Sequence, residues 1–479
     1  MTKARIGVER SRANSLLIDT ILFGVSRFGS KLLVFLMLPL YTHVLTTDEF
    51  GIADLITTTI NFIYPLMTLS IAEATLRYAL MKNASRRTVL CNSLVLVALG
   101  TLVLSFGKPL FAGIDPVLEK YWGVFVITFA LSNLQLVFTN FIKGIGMTKL
   151  FAVQGVLHTA AVVVSNIILL IFLKAGLNGY LLSMMIGYAI PILYVFVRAK
   201  LYAYIFPFSL DRKQMKAMLA YSIPMVPTVL AWAVNTSIGK YLIIAFIGMS
   251  ASGIYSAANK IPTLVTTVTN IFLQAWQISA ISNSDAGDEG AFYTQVYGIL
   301  NLISLMACMG IVVLAKPFAK ILFDETYYSA WQCIPMLTLA ALFSTLSGFL
   351  AAAYRAHMQT KGLFVSTIVG ALVNVAINLL LIREMGIVSA AAATAISTGV
   401  VWGVRAVNVQ KLVRVQISLA RTLVTYSAVI LSAVMVTFDI SGAYIVWALT
   451  VVLLAAACRA DIMLLMRWIL KLLRRGKKN

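Results

Sequence analysis

Charged side chains interrupt otherwise apolar stretches at seven places: Asp19, Arg27, Lys31, Glu73, Arg77, Lys240 and Lys260. A charge at the centre of a bilayer costs ~2.5–3.5 kcal/mol on insertion scales, so each needs a partner or a task. Arg27 lies near the middle of the apolar run 17–43, with Lys31 one turn on and Asp19, Ser26 and Ser30 on or beside the same face. Glu73 and Arg77 are four residues apart and can pair on a helix. Lys240 and Lys260 fall towards the ends of their runs, where a long side chain can snorkel to the headgroups or line a site. Arg27 has neither interface within reach. Its alternatives are a buried ion pair with Asp19 or Glu73, or a place in a cationic site. The surplus of cations over acids favours the site. Guanidinium and ammonium groups in a medium of low dielectric suit phosphate oxygens, such as those of a lipid-linked sugar pyrophosphate. A carrier of cations would want the opposite balance. Asp19 and Glu73 remain candidates for a charge pair or for ion coupling.

Polar residues form a second constellation. One stripe runs Asp54, Thr57, Thr58, Asn61, Pro65, Thr68, Thr75, and another runs Ser256, Asn259, Lys260, Thr263, Thr267, Asn270, Gln274, Gln277. Both follow helical spacing, and they superpose when the first is moved 202 positions along the chain. Lipid offers such groups no hydrogen bonds, so they face a partner helix or a water-filled cavity. Bonding between helices explains one or two hydroxyls. A whole stripe repeated in register points to a cavity lining, for which Asp54, Thr58, Asn61, Thr68, Asn259, Thr263, Asn270 and Gln274 are the candidates.

The elements that position these residues follow from composition. The 479 residues are 60% hydrophobic and 11% charged, with a mean hydropathy of +0.92. A soluble domain carries about 25% charged residues, so lipid must be the solvent for much of this surface. A spanning helix needs ~20 apolar residues, and backbone in lipid must bond internally. Windows of that length place an all-α integral membrane fold of about fourteen spans. They lie at 17–43, 53–80, 88–106, 121–142, 151–173, 179–198, 218–246, 253–280, 292–315, 333–354, 362–382, 388–407, 422–438 and 443–464. With the N-terminus in the cytoplasm, basic clusters fall consistently on that side. They include Lys82, Arg86 and Arg87; Arg198, Lys200, Arg212, Lys213 and Lys216; Arg405, Lys411, Arg414 and Arg421; and a tail from Arg467 to Lys478. The opposite side holds Lys108, Lys120, Lys174, Lys316, Lys320 and Arg383. Both termini are therefore expected to be cytoplasmic. The net charge of +21 then reflects topology and contact with anionic lipid, and nucleic acid is not needed as a partner.

The chain also repeats itself. Lys143, Thr148, Lys149 and Asn166 recur as Arg355, Thr360, Lys361 and Asn378, 212 positions on, and Gly51-Ile52 recurs as Gly253-Ile254. Six spans separate the copies, so the halves share one orientation, as in transporters built of parallel repeats. The expected organisation is an N-terminal lobe over 1–200, a C-terminal lobe over 201–420, and a final pair of spans with a basic tail over 421–479. Prolines at depth (Pro65, Pro191, Pro224, Pro227, Pro262) mark kinks that serve either bending or static packing.

Enzymatic chemistry finds no footing. Gly24–Lys31 reads GVSRFGSK, a near miss of a phosphate-binding loop, but its lysine follows serine inside a span. His43, His158 and His357 are isolated, and Cys91, Cys308, Cys333 and Cys458 lie scattered in apolar segments without metal or disulfide spacing. The first seventeen residues carry Lys3, Arg5, Arg10 and Arg12 without a cleavage site, which suggests an uncleaved first span. Asp285, Asp288 and Glu289 are an acidic exception to the basic pattern of the cytoplasmic side. No cofactor is expected.

Three segments resemble a known family. FLMLPLYTHVLTTDEFGIADL (35–55), YSIPMVPTVLAWAVNTSIGKYLI (221–243) and GIYSAANKIPTLV (253–265) are similar to polysaccharide and O-antigen flippases of the Wzx type, within the MOP superfamily. Lipid II flippases and, more distantly, MATE drug exporters belong to the same superfamily. The resemblance covers nearly the whole chain. It implies a V-shaped pair of six-helix lobes around a central cationic cleft. It also implies transfer of undecaprenyl-diphosphate-linked oligosaccharide between leaflets of a bacterial inner membrane, coupled to a proton or sodium gradient and serving a polysaccharide polymerase. The alternatives within that fold are a multidrug or cation antiporter and a lipid II-type flippase. Relatives often carry Asp-Arg where this chain has Gly239-Lys240, so the cation is kept and its acidic neighbour is lost.

Overall fold

In the computed structural model, residues 33–466 are described apart from 34, 82, 110–115, 283–288, 358 and 417. Helices account for almost all of this range. In the first half they are α1 (Leu38–Val44), α2 (Thr47–Met67), α3 (Ile71–Leu80), α4 (Arg86–Phe106), α5 (Pro116–Lys120), α6 (Trp122–Gly144), α7 (Thr148–Asn166), α8 (Gly176–Arg198), α9 (Leu201–Ile205) and α10 (Arg212–Ser222). There follow α11 (Val226–Phe246), α12 (Met249–Ser282), α13 (Glu289–Leu322), α14 (Ile334–Ala356), α15 (Thr360–Met385), α16 (Ile387–Val409), α17 (Leu419–Thr437) and α18 (Ala443–Ala457).

Among the described residues 11 helices are long and apolar enough to cross a membrane, or 12 if the bent pair Ala443–Ala457 and Arg459–Met466 is one span. The expected fourteen is therefore not reached. The first expected span lies almost wholly outside the described residues, and α12, although 34 residues long, is not among the eleven.

The chain divides into two compact units, Met1–Ser237 and Ile238–Asn479. Within the first, α6 is the hub, packed against α3, α4 and α8. Within the second, α14 holds the same place against α12, α13 and α16. The internal repeat is visible to the residue. A shift of 202 carries Thr47–Leu80 onto Met249–Ser282, and a shift of 212 carries Trp122–Gly144 onto Ile334–Ala356. Burial follows the hub role: Phe125, Phe129 and Phe141 are enclosed in one unit, Leu346, Phe349 and Leu350 in the other. Close approach uses small side chains, as lipid gives no hydrophobic drive between helices. The run Ala390, Ala391, Ala393 of α16 is buried against α14 in this way. The last two helices belong to the second unit, where α17 packs on α13 and α14, and α18 on α13.

One difference between the copies falls within the first stripe. The expected continuous span 53–80 is broken: α2 stops at Met67, α3 starts at Ile71, and Leu69 and Ser70 between them adopt left-handed φ of 51° and 52°. The matching α12 runs for 34 residues without interruption. Left-handed backbone at a non-glycine residue costs about 1–3 kcal/mol, so two in succession must be held by their surroundings. Gly100 of α4 supplies part of that hold, because any Cβ there would collide with the Met67 carbonyl oxygen. Thr68 supplies another, donating its hydroxyl to Tyr64 O at 2.7 Å.

Candidate functional site: polar helix faces and intramembrane charges

The start of the first stripe is fixed by a capping box. Thr46 accepts from Glu49 N, and Glu49 accepts from Thr46 N at 3.0 Å, which sets the rotation of α2. Asp54 then lies one turn before Thr58, whose hydroxyl reaches its carboxylate at 3.4 Å. Asn61 is exposed on the same helix, whereas Thr68 is buried at the break. Thr75, farther on, is fully buried and bonded to Ser93 of α4 at 2.7 Å. The stripe is therefore not uniform. Its first part mixes a buried Thr58, a half-buried Asp54 and an exposed Asn61, and its last hydroxyl serves helix packing.

The second stripe is also mixed, with Ser256 buried at its start and Thr269 buried beside it. Asn259 and Lys260 are half-buried and Thr263 is exposed, its hydroxyl donating to Lys260 O at 2.6 Å. Thr269 is buried against Thr345 of α14 at 3.0 Å. Asn270 and Gln274 lie on α12, but their side chains are outside the described residues.

The intramembrane charges separate into three groups. Asp19, Arg27 and Lys31 lie outside the described residues. Glu73 and Arg77 share α3 but no ion pair joins them. Arg77 is exposed and its guanidinium carbon lies 4.5 Å from the Tyr221 ring centroid, while Glu73 is half-buried in the first turn after the break. Aromatic stacking thus takes the place of the expected i,i+4 bridge, and at an exposed site such a contact is worth ~0.5–1 kcal/mol. Lys240 is half-buried. Its neighbour Gly239 packs into the second unit, where an added Cβ would sit 3.4 Å from Ala390 Cβ and 3.8 Å from Asn378 Nδ2. A Cβ at 239 would thus make ordinary contact with α15 and α16.

Sequence reasoning placed Arg405 among cytoplasmic loop cations. The structure instead turns its guanidinium inward between three helices. Nε donates to Ser366 Oγ at 2.9 Å, one terminal nitrogen to Ser347 Oγ at 2.9 Å and Ser347 O at 3.2 Å, and the other to Thr367 Oγ1 at 3.1 Å. All four acceptors are neutral. Two serines and a threonine in two apolar segments gave no hint of this convergence, because only the packing of α14, α15 and α16 brings them to Arg405.

The repeated asparagines are also structural. Asn166 is buried, donating to Tyr41 OH at 2.9 Å and accepting from Ser183 at 2.6 Å. Asn378 is buried beside Asn374, which donates to Ser397 Oγ at 3.2 Å. His158 donates to Gly187 O at 2.6 Å, and all four cysteines are buried and free.

An apolar cavity of about 910 Å³ opens in the second unit between α14, α16 and α17. Phe343, Trp402 and Tyr426 form one part of its wall, Met385 and Phe438 another. Tyr426 is anchored through its hydroxyl to Asn301 at 2.7 Å, and Trp402 through its indole to Tyr297 OH at 3.1 Å. The polar ends of these rings are thus satisfied behind the wall, and their apolar faces line the cavity.

The arrangement is that of a transporter: repeated helices, polar faces at bilayer depth, and a span broken inside the membrane. Residues 16–277 match the model of a protein family described as polysaccharide biosynthesis protein. The chain belongs to that family. Among solved structures it is similar to the lipid II flippase MurJ in an inward closed conformation, with a TM-score of 0.69 and 14% identity over 94% of this chain and 100% of that one. It is also similar to an inward-facing multidrug resistance MATE family transporter of the MOP superfamily, at TM-score 0.62 and 13% identity over 80% and 98% of the two chains. The MATE transporter VcmN of Vibrio cholerae matches at TM-score 0.62 and 12% identity over 83% and 97%. At these identities the likeness is one of fold. No curated protein sequence matches.

Proposed function

We propose that this protein flips an undecaprenyl-diphosphate-linked oligosaccharide from the cytoplasmic to the periplasmic leaflet of a bacterial inner membrane by alternating access. The observation that carries the reading is the pair of polar stripes, in equal register on α2–α3 and α12, within a chain of the polysaccharide biosynthesis family. A sugar head group needs a polar path, and its diphosphate needs cations along it. Arg27, Lys31, Arg77, Lys240 and Lys260 are assigned to the diphosphate, with Asp19 and Glu73 as coupling or counter-charges. The apolar cavity of the second unit suits a hydrocarbon chain, each buried CH₂ of which contributes ~0.8 kcal/mol. Both termini are placed in the cytoplasm, and a polysaccharide polymerase is the expected downstream partner.

The test is genetic and chemical together. Deleting the gene should abolish surface polysaccharide and leave lipid-linked repeat units on the cytoplasmic side, and Arg27→Ala should do the same while the protein stays in the membrane. Normal polysaccharide in the Arg27→Ala strain removes that residue from the mechanism. Normal polysaccharide in the deletion strain together with lost efflux of a lipophilic cation assigns the chain to multidrug export instead.

A further inference from the structure

The connection between Gly176–Arg198 and the span Arg212–Phe246 is built as a platform rather than a tether. Leu201 and Met218 are fully buried in the same core as Val89, Leu90 and Phe141. Arg87 donates to Ala203 O at 3.2 Å, Asn92 to Asp211 O at 3.1 Å, and Tyr78 to Ala217 O at 3.0 Å. Tyr204 meets Phe141 edge to face at 5.4 Å between ring centroids. With its inner face fixed, the platform presents Phe206, Phe208 and Leu210 outward, 67%, 52% and 52% exposed. Arg198, Lys200, Arg212, Lys213 and Lys216 are exposed on the same short segment. Its one acid, Asp211, is occupied in capping α10, accepting from Lys213 N at 2.8 Å and Gln214 N at 3.1 Å.

We propose that this platform is a docking surface for anionic phospholipid headgroups of the membrane the chain itself spans. Two spans meet the water boundary here, so the surface lies at headgroup level. Apolar side chains flanked by cations, with no free acid between them, match the acyl boundary and the negative potential above it. Water would leave the apolar group exposed, and a neutral surface would leave the cations unanswered. The rigid backing means little ordering is lost when the rings insert. The platform then holds α8, α9 and α10 at a fixed depth in one leaflet.

The experiment uses the full chain with Phe208→Cys carrying an environment-sensitive fluorophore, the four native cysteines being buried. The protein is reconstituted in vesicles of phosphatidylcholine alone or of phosphatidylcholine with phosphatidylglycerol. Lipid-borne nitroxide should quench the probe and aqueous iodide should not, more strongly so with phosphatidylglycerol. Reversing Arg212, Lys213 or Lys216 to Glu should weaken insertion about fivefold for each charge lost, and added salt should act in the same direction. A probe open to iodide in both lipids overturns the proposal and assigns the face to a protein partner. Insertion that ignores both phosphatidylglycerol and charge reversal also overturns it. If Phe208→Cys fails to fold, Leu210→Cys reads the same surface. None of these readouts depends on transport.

Discussion

Arg405 is a cation whose hydrogen bonds are all supplied by neutral groups. Its four bonds run to Ser347, Ser366 and Thr367, and two of those hydroxyls also donate to Leu363 O, at 2.9 and 2.8 Å. A lysine keeps the charge but not the planar fork, so it can hold only part of this set. Arg405→Lys should therefore destabilise the protein by about 2–3 kcal/mol, read as a lower melting temperature in detergent. An unchanged melting temperature would show that the fork is not a brace. Thr75 offers a second case. Thr75→Val removes a buried bond to Ser93 and should cost about 1 kcal/mol of stability while leaving surface polysaccharide intact. Asn61→Leu should behave the other way, with stability kept and polysaccharide lost, because Asn61 is exposed on its helix. Equal phenotypes for the two would erase the distinction between lining and packing residues. From sequence alone the stripe looked uniform, since helical spacing gives a face but not what covers it. The inward turn of Arg405 was missed for a related reason: it stands near the end of an apolar run, and a count of loop cations cannot see which way the side chain turns.

The spans themselves were legible because ~20 apolar residues leave the backbone no alternative to a helix. The repeat was legible too, and the bounds of Trp122–Gly144 and Ile334–Ala356 agree with the spacing of the matched residues. The break at 68–70 was not, because Leu69 and Ser70 are ordinary helix residues and the nearest warning, Pro65, stays inside α2. Leu69→Gly should relieve left-handed strain of about 1–3 kcal/mol against an entropic loss of about 0.5–1 kcal/mol, raising the melting temperature by a few degrees. Gly100→Ala should do the opposite by pushing α4 away from the Met67 carbonyl, at about 1–3 kcal/mol. If Leu69→Gly instead lowers stability, the left-handed pair is not strained in its setting.

At the scale of the molecule, the repeat ends before the chain does. The last helices nevertheless complete the second unit: Tyr426 bonds Asn301, Arg421 pairs with Asp461, and Trp447 donates to Met309 O at 2.8 Å. Asp461 lies directly against Gly298, where an added Cβ would force its carboxylate to shift. A chain cut after residue 416 should accordingly fail to accumulate in the membrane, as measured by immunoblot, although both copies of the repeat remain. Stable accumulation would make the pair an accessory.

The two copies match in length and differ in stiffness. A continuous helix of 34 residues spans about 51 Å, and although Pro262 lies inside it the helix is not broken, so its two ends stay linked through one helix. The same length cut at 68–70 is a jointed arm, and pushing on one segment need not move the next. Duplication has thus left the protein with a crankshaft in one half and a knuckle in the other, and the halves are not mechanical equals.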